Sequence, residues 1–194
     1  MSKKSIISLV VVALLALSGV GSYNSIITAE ENVEKTWANL QSAYQRRLDL
    51  IPNAVEMTKE YEAYEGKQIG DMMEMRRQAT SINLTVDDLT PENLAKLQKA
   101  QSELSSAVGR LIAVSEAYPE LKAGEQFSEL RAQLEGAENR ITVARNEFNA
   151  AIQKYNVTVR KFPTVVLARF FGFERRAGFQ SAEGADVVPS VNFQ

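Results

Sequence analysis

The stretch 127–155, FSELRAQLEGAENRITVARNEFNAAIQKY, carries the strongest structural pattern in this 194-residue chain. Its apolar side chains recur in alternating steps of three and four residues, at Phe127, Leu130, Leu134, Ala137, Ile141, Ala144, Phe148, Ala151 and Tyr155. Such a heptad seam is typical of a helix that buries one stripe against other helices, as in a coiled coil. Mostly Glu, Arg, Gln and Asn lie between these positions, which suits a solvated opposite face.

Three segments before this stretch show the same helical period. Apolar stripes run over 33–51, less regularly over 52–80, and again over 94–112. Thr90 followed by Pro91 marks the start of the third helix, with threonine as the N-cap. Pro52 lacks a backbone N–H, so it either starts a new helix or kinks one long helix. The sequence therefore predicts an all-α protein with an antiparallel up-and-down four-helix bundle, and a three-helix arrangement is the alternative.

The N-terminal segment has the composition of a membrane helix. No charged residue occurs from Ser5 to Ala29, and about 20 mainly apolar residues suffice to cross a bilayer. We expect a transmembrane signal-anchor helix over 5–27, with a cleaved signal peptide as the alternative. Lys3 and Lys4 favour a cytoplasmic N-terminus and therefore an extracytoplasmic C-terminal domain. The predicted parts are a short basic N-terminus (1–4), the membrane helix (5–27), a helical bundle domain (28–178) and a flexible tail (179–194).

Composition excludes several kinds of chemistry. The chain contains no histidine and no cysteine, which removes disulfides, thiol nucleophiles and His or Cys metal ligands. The 22 Lys and Arg residues nearly balance the 24 Asp and Glu residues, so no strong positive field attracts nucleic acid. We expect no catalytic residue, no metal and no cofactor, and we interpret the protein as a non-enzyme.

A corner rich in polar residues surrounds Pro52. Its candidate partner-binding residues are Arg46, Arg47, Asp49 and Asn53. In a purely structural interpretation, one arginine pairs with Asp49 or with nearby carbonyl groups. In a functional interpretation, the four side chains bind an anion or a protein partner. The sequence leaves both interpretations open.

A second candidate surface lies near the C-terminus. The stretch 160–176 contains five positive and one negative side chains among several phenylalanines. Basic residues mixed with aromatic residues suit an anionic membrane surface. The candidate membrane-surface residues are Arg169, Phe170, Phe171, Phe173, Arg175 and Arg176. The alternative is a short helix folded over the open end of the bundle, with its phenylalanines capping the core.

Several stretches together resemble the LemA family. They are Ser22-Tyr23-Asn24, Trp37, the run from Gln45-Arg46-Arg47 to Asp49-Leu50-Ile51-Pro52-Asn53, the run 116–123, Phe127 with Leu130 and Leu134, Glu138-Asn139, Ile141, Ala144-Arg145, Phe148-Asn149, Tyr155-Asn156 and Phe171-Gly172-Phe173. The resemblance implies a bacterial single-pass membrane protein with an antiparallel four-helix bundle and a retained anchor. It carries over no catalytic residues, because the family has no established activity.

These observations lead to two functional hypotheses. The first is a non-enzymatic interaction or scaffold protein of the bacterial envelope, anchored in the lipid bilayer of the cytoplasmic (inner) membrane and bound to an unidentified envelope protein. The alternative is a membrane-organising protein that acts by lipid binding or homo-oligomerisation through its basic and aromatic C-terminal segment. A carboxylate-dependent enzyme is a third and weaker hypothesis.

Overall fold

The computed structural model describes residues 3–59, 66–116 and 124–180, and these residues form helices joined by short connections, with no strand among them. The α-helices within these ranges are α1 (Lys3–Lys59), α2 (Gly66–Ser81), α3 (Pro91–Glu116), α4 (Glu125–Thr158) and α5 (Thr164–Phe171). A short 3-10 helix, Val86–Asp88, lies between α2 and α3. The all-α class is confirmed. The hydroxyl of Thr90 accepts a hydrogen bond from the N–H of Asn93, so the predicted N-cap of α3 is also confirmed.

Of the two alternatives at Pro52, the start of a new helix is not what the structure shows, because α1 continues through this residue as one long helix to Lys59. The N–H that proline lacks would have bonded to the carbonyl of Leu48, four residues earlier. The Nε–H of Arg76 in α2 donates to that carbonyl oxygen at 3.0 Å. Burial of Ile51 and Ala54 on either side of the proline also stabilises the helix there. A neighbouring helix thus supplies the hydrogen bond that the proline removes.

Helices α1 and α4 lie side by side and run antiparallel. Trp37 of α1 packs against Phe148 of α4 with ring centroids 5.2 Å apart, and further along α1 the side chain of Arg47 contacts Glu138. All nine seam residues of α4 are buried, so the predicted stripe is confirmed. Helix α2 packs mainly against α3, and α5 packs against α1.

The core divides into two clusters along this helix pair. The first joins α1 from Ile26 to Tyr44 with α4 from Ile141 to Tyr155 and with Val159 just after α4. The second joins the next part of α1 with α2, α3 and the first turns of α4. Burying one large apolar side chain stabilises a fold by about 1.5–3 kcal/mol, so both clusters contribute substantially. The two long helices α1 and α4 take part in both clusters.

The first part of α1 lies outside both clusters. Leu17 and Val20 are 70% and 60% exposed, and Ile7 and Leu9 are also exposed, whereas Ile26 is fully buried. Within the ranges that the structure describes, no helix is long and apolar enough to cross a membrane. The membrane-spanning character expected for residues 5–27 is therefore not confirmed.

The C-terminal part of the described chain packs back onto the helices. Thr164 and Ala168 of α5 are buried, and Phe179 belongs to the first core cluster. The packed region therefore extends one residue beyond 178, where the predicted domain ends. Residues 181–194 of the predicted tail lie outside the described residues.

Candidate functional site

The Arg47 side chain joins three helices in the middle of the fold. Its Nη1 group donates to Glu138 Oε1 of α4 at 2.6 Å and to Ser105 Oγ of α3 at 2.5 Å. Its Nη2 group donates to the backbone oxygen of Gln101 at 3.3 Å and to the Oε1 atom of the same residue. The guanidinium group thus connects α1 to both α3 and α4, at the level where the two core clusters meet.

This arginine is buried almost completely, with 1% of its side chain exposed. A buried charge is tolerated only when it is paired and hydrogen-bonded, and here Glu138 supplies the opposite charge. Ser105 also donates to Glu138 Oε2 at 3.1 Å, which orients the carboxylate. The Nε atom of Arg47 has no hydrogen-bond partner among the described residues. The arrangement is that of a structural ion pair and not of a reactive centre.

Tyr44 lies one turn before this arginine, and its ring centroid is 6.0 Å from the Arg47 guanidinium carbon. Burial raises the pKa of Tyr44 to about 12, and the nearby Arg145 and Arg47 offset this only in part. The phenol therefore stays neutral at physiological pH. A neutral aromatic face next to a guanidinium group adds a favourable cation–π contact.

The four candidate partner-binding residues around Pro52 do not lie on one surface of the structure. Arg46, Asp49 and Asn53 are exposed and, at steps of three and four, lie on the outer face of α1. Arg47 faces the core, since neighbouring residues of a helix point in different directions, and it is not available to a partner. Asp49 accepts a hydrogen bond from Gln45 at 2.7 Å and makes no ion pair with an arginine among the described residues, whereas Arg47 donates to a backbone carbonyl, that of Gln101 in α3.

A second internal contact is made by Arg176, which follows α5 in the chain. Its Nη2 group pairs with Glu30 Oε1 of α1 at 2.6 Å. Its Nη1 group donates to the Val86 carbonyl at 3.0 Å, with Asp87 Oδ1 3.4 Å away. Burial alone would lower the pKa of Arg176, but the hydrogen bonds with Glu30 and Tyr155 raise it overall. The segment after α5 is thereby tied to α1 and to the connection between α2 and α3.

Two asparagines of α4 hold the backbone of this segment. The Asn156 amide donates to the Arg176 carbonyl at 2.9 Å and accepts from the Arg176 N–H at 2.9 Å. Two helical turns earlier, Asn149 makes the same pair of bonds with Phe179, at 3.1 and 2.9 Å. A Cβ atom at Gly178 would come within 2.9 Å of Asn149 Oδ1, so glycine allows this close approach. We call the contacts of residues 176–179 with these asparagines and with Glu30 the C-terminal clasp.

The clasp corrects part of the predicted membrane surface. Arg176 was expected to face lipid, but it pairs with Glu30 and lies over the ring of Tyr155, with the Arg176 guanidinium carbon 5.5 Å from the ring centroid. Phe173 is only partly exposed and packs against the first core cluster, as the capping alternative predicts. The other four predicted residues, Arg169, Phe170, Phe171 and Arg175, are exposed. Phe173 and Arg176 therefore pack internally, and the membrane-surface interpretation stays a prediction for the other four residues.

The internal roles of Glu138, Asn149 and Asn156 are not evident from the amino-acid sequence. Glu138 follows the seam residue Ala137, and the two asparagines follow Phe148 and Tyr155, so all three resembled ordinary residues of the solvated face. The available signal was that each asparagine directly follows an aromatic seam residue at the same heptad phase. Within the described ranges, no three acidic side chains come close enough to hold a metal ion.

The described residues define the class of this protein: an all-α chain built on two long antiparallel helices, with polar contacts in its interior that tie other segments to them. The LemA family profile matches residues 36–193, which include Arg47, Glu138 and residues 176–179 of the C-terminal clasp. The chain belongs to the LemA family.

The chain is also similar, at low sequence identity, to individual proteins. The chain is 28% identical over 183 residues to magnetosome proteins MamQ 1 and MamQ 2 of Paramagnetospirillum magneticum, covering 84% of this chain and 66% of each relative. It is 27% identical over 189 residues to magnetosome protein MamQ of Magnetospirillum gryphiswaldense, covering 87% of this chain and 70% of that protein. The chain thus spans just under two thirds of the length of the first two relatives.

Proposed function

We propose that this LemA family member is a non-enzymatic, membrane-associated scaffold. The apolar first part of α1 inserts into a bilayer, and the helical domain presents its outer surface to a protein partner. The observation that carries the proposal is the contrast within one continuous helix. Large apolar side chains such as Leu17 and Val20 are exposed before residue 22, and the buried stripe begins at Ile26.

The exposed part of α1 has the chemistry of a lipid-facing helix. Its residues up to Ala29 carry no charge after Lys4, and burying their apolar surface in lipid is favourable. At about 1.5 Å per residue, residues 3–21 of α1 form a helical segment roughly 28 Å long. Lys3 and Lys4 favour the cytoplasmic side for the N-terminus. In this proposal the helical domain lies outside the cytoplasm, at the inner membrane.

The proposed arrangement of the domain is an up-and-down bundle of α1, α2, α3 and α4. The antiparallel contact of α1 with α4 and the short connection between α2 and α3 support this arrangement. Its polar interior supports a structural role for the charged groups, because Arg47 and Arg176 are both used in holding helices together. The absence of histidine and cysteine from the sequence supports a protein without catalytic chemistry.

The outer face of α1 with Arg46, Asp49 and Asn53 is the proposed partner-binding face. All three side chains are exposed and lie in one row along the helix. A photo-crosslinking residue introduced at Asn53 should give a recurrent adduct that is lost when Arg46 and Asp49 are replaced by Ala. The same crosslinker at Val143, an exposed residue of α4, is the matched control. Equal adducts at both positions would count against this face.

Membrane association is tested by fractionation of cells that express the full chain. The wild-type chain should stay with the membranes after a high-salt wash. The double variant Leu9→Glu with Leu17→Glu should move to the aqueous fraction, since two charges on the exposed apolar part oppose insertion. Val143→Glu adds a charge on an exposed residue of α4 and should leave the protein with the membranes. A wild-type chain that the salt wash releases would contradict the proposal.

A further inference from the structure

One face of α5 is apolar and exposed. Phe162 lies just before the helix, and Val166 and Phe170 follow at intervals of four residues, which places the three on one side. Phe162 and Phe170 are 83% and 81% exposed, and Val166 is 60% exposed. The opposite side of α5, with Thr164 and Ala168, is buried against the rest of the fold. An exposed patch of large apolar side chains marks a contact surface.

This face is continuous with the point where α1 leaves the core. The Phe170 ring contacts Phe171 with centroids 5.1 Å apart, and Phe171 contacts Tyr23 of α1 with centroids 5.2 Å apart. Tyr23 lies one turn before the first fully buried residue of α1, Ile26, and one turn after the exposed Val20. Aromatic side chains concentrate where a membrane meets water, because their rings suit the headgroup region.

Unpaired positive charges surround the same face. Arg160, Lys161, Arg169 and Arg175 are exposed and make no ion pair within the described residues, whereas Arg176 is paired in the clasp. Counting Glu174 as the only acidic residue of this stretch leaves four positive charges against one, or +3. A cleft of about 660 Å³ lies between the last turns of α4 and the segment after α5, and it is lined by Arg160, Lys161 and Arg175 and by no acidic residue. Basic clusters of this kind attract anionic headgroups.

We propose that the α5 end of the helical domain docks on a membrane surface that contains anionic phospholipid. The phenylalanines beside and within α5 enter the headgroup region, and the basic cleft holds lipid phosphate groups. The inference rests on the proposed function, because insertion of the first part of α1 is what brings this end to the bilayer. Lipid fits this surface better than a protein partner, since the patch adjoins the apolar part of α1 and combines phenylalanine with unpaired cations.

The test uses the full chain in vesicles and exploits its lack of cysteine. Val166→Cys and Val143→Cys each receive an environment-sensitive fluorophore, one on the α5 face and one on an exposed position of α4. The vesicles contain phosphatidylcholine alone or phosphatidylcholine mixed with phosphatidylglycerol, with nitroxide-labelled lipid as the quencher. Flotation of the vesicles measures, separately, whether the protein is held in the membrane.

We expect the Val166 label to be quenched severalfold more than the Val143 label in the anionic vesicles, and less strongly in the neutral ones. Replacing Arg160, Lys161 and Arg175 by Gln should lower the quenching to its level in neutral vesicles. Replacing the exposed Lys35, Arg110 and Arg140 by Gln removes the same charge elsewhere and should leave the quenching unchanged. High salt should act like the first triple variant, because it screens exposed charges.

Two results would overturn the inference while leaving the proposed function intact. One is a Val166 label quenched no more than the Val143 label in protein that floats with anionic vesicles. The other is equal quenching of the two triple variants, which would remove the role of the cleft. A protein that does not float with any vesicle would contradict the proposed function itself.

Discussion

The chain contains the pairs Arg46–Arg47 and Arg175–Arg176, and the two pairs lie in different environments. In each pair the first arginine is exposed and the second makes an internal ion pair. Arg47 is 1% exposed and lies between the two core clusters, whereas Arg176 is 17% exposed and lies near the α5 end. Glu138, the partner of Arg47, is 35% exposed and Glu30, the partner of Arg176, is 22% exposed, so the two sites differ in the depth of the arginine and not in that of the carboxylate. The depth of the internal arginine, and not its number of hydrogen bonds, should therefore decide its effect on stability.

Removal of Arg47 should have the largest effect. Arg47→Ala leaves Glu138, Gln101 and Ser105 without their shared partner. Breaking a fully buried ion pair costs about 3–5 kcal/mol in the free energy of unfolding, and we expect a loss at the lower end of this range because Glu138 is 35% exposed. Arg46→Ala should change it by less than about 0.5 kcal/mol, because that side chain is exposed. Urea unfolding, followed through the fluorescence of Trp37, measures both, since this core residue is the only tryptophan of the chain.

A third variant separates two possible roles of the Arg47 side chain, which are to pair with Glu138 and to fill space in the core. Arg47→Met, combined with Glu138→Met, fills the space with apolar groups, and such replacements of buried ion pairs are often neutral. We expect the double variant to recover most of the stability that Arg47→Ala loses. Equal destabilisation by Arg46→Ala and Arg47→Ala would contradict the comparison between exposed and internal arginines.

Removal of Arg176 should have the next largest effect. Arg176→Ala loses the charged hydrogen bonds with Glu30 and Val86, and we expect a loss of about 1.5–3 kcal/mol, lower than at Arg47 because water reaches this site. Arg175→Ala is the matched control and should have little effect on unfolding. Limited proteolysis provides a second readout, since a weakened clasp should expose the 172–180 segment to cleavage. Equal protection of the two variants would show that Arg176 does not hold this segment.

The pH dependence of stability should report on Tyr44. Its pKa is about 12 in the folded state and about 10 when unfolded, so above pH 10 the unfolded chain loses this proton first. Stability is therefore fully present below pH 10 and falls by up to about 2 kcal/mol as the pH rises toward 12. Tyr44→Phe should remove most of this decline in unfolding measurements between pH 9 and 12, and an unchanged decline would contradict the burial of the phenol.

The smallest effect is expected in a third pair, Arg76–Arg77. Arg76→Ala leaves the Leu48 carbonyl, which Pro52 has already deprived of its helical partner, without a hydrogen bond, and we expect a loss of about 1 kcal/mol. Arg77 makes only an exposed pair with Glu74, so Arg77→Ala should have little effect. Replacing Pro52 by Ala should restore the backbone bond and make Arg76→Ala less damaging. Additive effects of the two substitutions would contradict this compensation.

Helical periodicity predicted the fold class and the buried stripe of α4, because apolar residues that recur in alternating steps of three and four are visible in the sequence alone. The course of α1 through Pro52 could not be predicted, since it depends on Arg76 of another helix. Arg46 and Arg47 are adjacent and have the same side chain, so the sequence does not distinguish their roles. Successive side chains of a helix point about 100° apart, and which of the two faces the core depends on where the other helices pack against α1. The pairing of Arg176 with Glu30 joins residues 146 positions apart and carries no local signal.

The central proposal is that α1 is one helix whose first part lies in lipid up to about Tyr23 and whose remainder continues into the core. Single cysteines at Leu17 and Glu34, introduced into the full chain in vesicles, test it most directly with a water-soluble maleimide. The account predicts rapid labelling at position 34, which is exposed on the domain, and protection at position 17 until detergent is added. Equally rapid labelling at both positions in intact vesicles would contradict it.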